Sequence, residues 1–142
     1  MFPLRPEVRE LAERARPARI ALVRPGALGD TILLLPAVQL LRRALPAGRL
    51  TLVGSAWARR LCPLMPEPWE FFPFDCAALT PLFGERPPAR APDALATSDL
   101  IVLYRRDSAG PFEENLRRLT GATVIPWPVE PPPGVHAACH FA

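Results

Sequence analysis

The sequence predicts an α/β protein, a Rossmann-like doubly wound parallel sheet, from three observations. Ile20–Val23 and Leu100–Leu103 are uninterrupted apolar runs, the pattern of strands covered on both faces. The first run leads through a glycine loop into a helical segment and then a second strand, Arg49–Gly54. That is a βαβ unit, which calls for parallel strands and a right-handed crossover. Finally, the polar stretches Arg24–Asp30, Ser55–Arg60 and Arg105–Ser108 each follow a predicted strand. In open α/β sheets the ligand crevice lies beyond those carboxyl ends.

The elements follow in order. Glu7–Arg16 reads as an amphipathic helix with Val8, Leu11, Ala12 and Ala15 on one stripe, ended by Pro17. Residues 1–18 thus form an N-terminal helical segment ahead of the strand Arg19–Arg24. Thr31–Leu45 reads as one helix, with Ile32, Leu35, Val38 and Leu41 or Leu45 facing inward and Pro46-Ala47-Gly48 at its exit. Ser55–Leu64 reads as a short serine-capped helix with Trp57 and Leu61 inward. Glu70–Phe74 is a short third strand, and Cys76–Pro92 an irregular loop with a helical turn. After the strand Asp99–Tyr104 comes a helix, Pro111–Thr120, whose acidic start and basic end match the helix dipole. Gly121 stops it, and Ala122–Pro126 is the last strand.

Composition narrows the chemistry. The 142 residues suit one domain, 49% apolar and 22% charged, in keeping with a soluble globular fold. All 17 basic residues are arginine, so neither a Walker-type phosphate loop nor Schiff-base chemistry has its lysine. The net charge of +3 is dispersed, which argues against a nucleic-acid stripe and suits an anionic small molecule or glycolipid. Prolines, 20 in all, gather in Pro63–Pro92 and Pro126–Pro133 and mark loops. Cys62, Cys76 and Cys139 are too few and too scattered for a disulfide framework, and are expected to behave as small buried apolar residues in a cytoplasmic protein. Arginines throughout the first 19 residues leave no apolar signal segment, and no run is long enough to span a bilayer. Membrane contact is therefore expected to be peripheral at most, on the inner face of the cytoplasmic membrane.

The glycine loop is the centre of the functional reading. Gly26 and Gly29 are three apart, and the second strand ends in Gly54-Ser55 without an acid. A dinucleotide fingerprint fails on both counts, and no cofactor is expected. Asp30 has two readings: a helix N-cap, or a general base for an attacking hydroxyl. Arg24 is either an ion-pair partner or a bidentate clamp for a carboxylate or phosphate. Ser55, Arg59, Arg60 and Arg105 are further candidates, weighed against solvated surface roles. His136 and His140 share a helical spacing, but Ala137 stands where a zincin has glutamate, so no metal site is expected.

Arg24-Pro25-Gly26-Ala27-Leu28-Gly29-Asp30, followed by an apolar helix with an early Pro36, resembles the opening of the heptosyltransferase-type glycosyltransferases, glycosyltransferase family 9. The likeness continues through Arg42-Arg43-Ala44-Leu45-Pro46 and Leu50-Thr51-Leu52-Val53-Gly54, and is strongest in the first third of the chain. It implies the N-terminal half of a GT-B fold, with residues 1–142 as a single acceptor-side domain. Residues 127–142, including His136, would be the linker towards a C-terminal donor domain.

The resemblance implies metal-independent, inverting transfer of a sugar from a nucleotide sugar, ADP-heptose, to an acceptor of lipopolysaccharide biosynthesis. It assigns the base to Asp30, and the Kdo carboxylates and phosphates of such acceptors would suit Arg24, Arg59, Arg60 and Arg105, with Gly26, Gly29 and Ser55 lining the site. Donor-binding motifs lie outside these residues, so the chain alone is expected to be inactive and to self-associate through an exposed interdomain face. The alternatives are a standalone binding module for a phosphorylated metabolite, or an inactive truncated paralogue.

Overall fold

The computed structural model describes residues 5–65, 69–104 and 110–141. Five strands form one sheet: β1 (Arg19–Arg24), β2 (Arg49–Gly54), β3 (Glu70–Pro73), β4 (Leu100–Tyr104) and β5 (Thr123–Trp127). All are parallel, in the order β3-β2-β1-β4-β5. The predicted α/β, Rossmann-like sheet is what the chain forms. Strand order reverses beside β1, between β1 and β4, so the switch point of the sheet opens directly above Arg24.

The apolar runs sort by parity onto two cores. Ile20, Leu22, Leu50, Leu52, Leu100 and Val102 face one layer, while Ala21, Val23, Val53, Ile101 and Leu103 face the other. The first layer is covered by α1 (Pro6–Ala12), α3 (Leu35–Ala44) and α6 (Ala137–Phe141). The second is covered by the 3₁₀ turn Thr80–Phe83, α4 (Asp93–Ala96) and α5 (Pro111–Leu119). Burial on both faces removes the period-two alternation that a half-exposed strand would show. Asn115 ties two elements of the second layer, its Nδ2 donating to the carbonyls of Leu82 and Gly84 at 2.9 and 3.0 Å.

Several expectations need correction. The single helix Thr31–Leu45 is two helices, α2 (Leu28–Ile32) and α3. Pro36 has no N–H to give to the carbonyl of Ile32, so the ladder breaks at Leu33-Leu34. The break turns Ile32 outward, 46% exposed, and puts Leu34 in the core instead. Ser55–Leu64 is not a helix but two 3₁₀ turns, Ala58–Arg60 and Cys62–Leu64. Ser55 caps neither, and Trp57 is 58% exposed, with the guanidinium of Arg60 stacked 4.8 Å from its ring. Of the cysteines, Cys139 is exposed and the other two half-buried. Burial pushes the Cys62 thiol up from its ordinary range.

At the amino end of the sheet, Asp99 holds the N-terminal segment down. Its carboxylate accepts from Arg14, from both terminal nitrogens of Arg16 and from the amide of Arg19. Burial alone would raise this carboxyl, but the hydrogen bonds from Arg16 and Arg19 and the charges of Arg16 and Arg14 outweigh it and hold it below the usual carboxylate range. A depressed folded-state value means stability that is present above the unfolded value, near pH ~4, and lost as pH falls through the folded one. Asp99→Asn is therefore expected to lower stability by ~1 kcal/mol at neutral pH, since the arginines are largely solvated. The difference from wild type should close as the pH drops below ~4, as followed by denaturant melts at several pH values.

Candidate functional site

The site is built where β1 ends. Arg24 closes the strand in register with Gly54 at the end of β2. The chain then turns at Gly26, whose φ of +151° suits glycine, and enters α2 at Leu28. Asp30 is the third residue of α2, and its Oδ2 accepts the amide of Ala27 at 2.9 Å, closing the first turn back on itself. Ala27 has no side-chain acceptor to return, so only this half of a capping box exists. The structural role foreseen for Asp30 is thus real, displaced by one turn from the simple N-cap.

The other carboxylate oxygen of Asp30 accepts from Arg24 Nη2 at 3.0 Å. The two partners differ in exposure: the Arg24 side chain is 8% exposed and that of Asp30 37%. The guanidinium is covered by the ring of Phe141 in α6, 5.1 Å away. Tyr104, at the end of β4, packs edge-on against the same ring at 5.6 Å, and its hydroxyl donates to the carbonyl of Phe141 at 3.4 Å. Burial raises the Tyr104 phenol far above its ordinary value despite the nearby charge of Arg24, so it stays a neutral donor. Strand β1, helix α2 and helix α6 therefore meet on one guanidinium.

Among the described residues, three buried polar atoms at or next to this junction have no hydrogen-bond partner: Arg24 Nε, Thr31 Oγ1 and Ser55 Oγ. Thr31 follows Asp30 in α2, and Ser55 follows Gly54 at the end of β2. A buried polar group left unpaired costs roughly 1–3 kcal/mol. Such a group is most easily tolerated where a ligand or water supplies the missing bond.

The glycines divide in role. A Cβ at Gly26 would stand 2.4 Å from Asp30 Oδ2, so this glycine is what allows the carboxylate to fold back. Gly29 is exposed, has no left-handed φ, and faces no heavy atom within 4 Å of where its Cβ would lie. The fold does not require a glycine there, and one in the first turn of a helix weakens it. Open space beside Asp30 is what it provides.

Of the residues singled out in the sequence, Arg24, Gly26, Gly29, Asp30 and Ser55 gather at this strand-end junction. Arg59 and Arg60 stand exposed on the 3₁₀ turn beyond β2, with Arg60 folded onto Trp57. Arg105, and with it the Arg105–Ser108 stretch, lies outside the described residues. The histidines serve α6: Nδ1 of His136 accepts the amide of Ala138 at 3.2 Å, and Nε2 of His140 is 2.6 Å from the carbonyl of Pro128. The stretch read as a linker thus packs back on the sheet, with Trp127 Nε1 donating to the carbonyl of His140 at 3.0 Å. Among the described residues, no three His, Cys, Asp or Glu side chains cluster as metal ligands do. No helix among them is long and apolar enough to cross a membrane.

Sequence reading missed Tyr104 and Phe141. Tyr104 carries a signal in hindsight, as the one residue with a polar tip closing an otherwise aliphatic strand. Phe141 carries none, because its contact with Arg24 spans the whole chain.

Gly26→Ala is expected to destabilise the protein by ~1–3 kcal/mol through the positive φ and the clash with Asp30. Gly29→Ala should instead stabilise it by ~0.5–1 kcal/mol, its gain coming from a better first turn. Denaturant titration of the two variants checks both signs. No family model, curated protein or solved structure matches the chain, so the site is read from its own geometry.

Proposed function

We propose that this chain is the acceptor-side domain of an inverting, heptosyltransferase-like glycosyltransferase. The observation that carries the reading is the Asp30 carboxylate. It is oriented by Arg24 and the Ala27 amide, partly exposed at the switch point of the sheet, and flanked by the open space over Gly29. Each carboxylate oxygen has two lone-pair directions, so both bonds to the protein leave capacity for a hydroxyl.

In this reading Asp30 takes the proton from the acceptor hydroxyl as that oxygen attacks the anomeric carbon of the donor. The bond from that carbon to the leaving phosphate breaks, and the nucleotide departs with inversion. Arg24 positions the base from beneath. Arg59 and Arg60 offer charge from the neighbouring turn. The donor, ADP-heptose by resemblance, would be held by a separate domain, because transfer needs both reactants fixed together.

The unpartnered Ser55 and Thr31 hydroxyls and Arg24 Nε also favour a second reading, a binding module for a phosphorylated metabolite. A nuclear magnetic resonance titration of the 142-residue chain separates the two. A soluble Kdo-bearing saccharide is expected to shift the amides of Gly26–Thr31 and Ser55 saturably, with affinity falling about tenfold in Asp30→Ala. No ADP-heptose should be consumed by the chain alone. Joined to a donor-binding domain, transfer should appear and fall by ~10²–10⁴ in Asp30→Asn. Binding of inorganic phosphate or a sugar phosphate at these amides, with no response to the saccharide, would select the binding module.

A further inference from the structure

A second concavity runs along α3, from Ile32 at the end of α2 to Arg43. It is a groove of about 430 Å³, within the range of small-molecule sites. One wall is α3, with Leu35 and Val38; the other is the segment carrying Leu61, Leu64 and Met65, with Trp69 beyond it. Among the described residues, its polar lining residues, Gln39, Arg42 and Arg43, all belong to the second half of α3. The groove is therefore apolar along its length and cationic at one end. Two large apolar side chains stand open on it, Leu64 at 77% and Ile32 at 46% exposure.

We propose that this groove binds the acyl chain of a free, single-chain anionic amphiphile, with its charged head against Arg43. The inference does not rest on the transferase reading. Since α3 runs away from the crevice, Arg43 lies at the end remote from Asp30, while Ile32 lines the end nearer to it. Arg42 Nη1 already donates to the carbonyl of Gly48 at 2.6 Å, whereas Arg43 is exposed and stands beside it as the head-group cation. An apolar lining with arginines at one end is complementary to an anionic amphiphile. From Leu35 to Arg42 the helix rises roughly 10 Å, which suits a medium-length acyl chain.

The test is calorimetric titration of the 142-residue chain with decanoate below its micelle concentration, set against decyltrimethylammonium. Decanoate is expected to bind saturably at one site, the cationic analogue about tenfold more weakly. Arg43→Gln should weaken decanoate by about tenfold and leave the melting temperature nearly unchanged. Leu64→Asp, at an exposed position that folding does not need, should do likewise. Equal affinity for the two amphiphiles, or decanoate binding untouched by both variants, would overturn the proposal. So would binding only to anionic phosphatidylglycerol vesicles with no competition from decanoate, which points to a bilayer. A concentration-dependent dimer abolished by Leu64→Asp, with no decanoate binding, would assign the groove to a second copy of the chain.

Discussion

A guanidinium is costly to bury, and the placement of Arg24 sets the terms for everything around it. At the end of a central strand, covered by Phe141, it needs an anion within reach, and Asp30 is the carboxylate that meets it. To reach it, Asp30 must sit in the first turn of α2 and fold back, which requires Gly26 to have no side chain. To keep water off the other side, α6 must return from β5 and lay Phe141 across the ring of Tyr104. One buried cation thereby links the end of β1, the start of α2 and the last helix. An exposed carboxylate fixed from below is the outcome, and the proposed chemistry depends on that.

The sheet explains why this happens where it does. Both faces are covered, so its side chains are committed to two cores and only the strand ends are free to be polar. The order β3-β2-β1-β4-β5 sends the connections from β1 and β4 to opposite faces and leaves a gap above their ends. Arg24 and Tyr104 are the residues that close those two strands. The cleft is thus a property of the topology, and the residues that fill it are a property of this chain.

What could be read from the sequence followed range of interaction. Strands with two buried faces declare themselves in continuous apolar runs, and the glycine loop with its aspartate marks the site by local signals alone. The interruption at Leu33-Leu34 was also encoded, in Pro36, but apolar periodicity carried through it and concealed the turn. Trp57 misled for a similar reason. Size and hydrophobicity argue for burial, yet a guanidinium on the same turn offers an indole face a partner in solvent. The cover that Phe141 gives Arg24 depends on residues more than a hundred positions apart, which no periodicity expresses.

The two ends of the sheet are finished differently, and the difference itself argues for a site. At the amino end, Asp99 receives three arginine nitrogens and a backbone amide, so a nearly buried carboxylate is fully engaged. Such saturation is what stability alone would favour. At the carboxyl end, Arg24 Nε and the hydroxyls of Thr31 and Ser55 are buried without partners among the described residues, and Gly29 weakens a helix whose backbone does not need it. Buried groups of this kind are most easily tolerated where a ligand, a water or another part of the chain supplies the missing bond. Local departures from good packing and pairing of this kind concentrate at functional sites. Among the described residues, Arg24, Thr31 and Ser55 bring three such departures to the neighbourhood of Asp30.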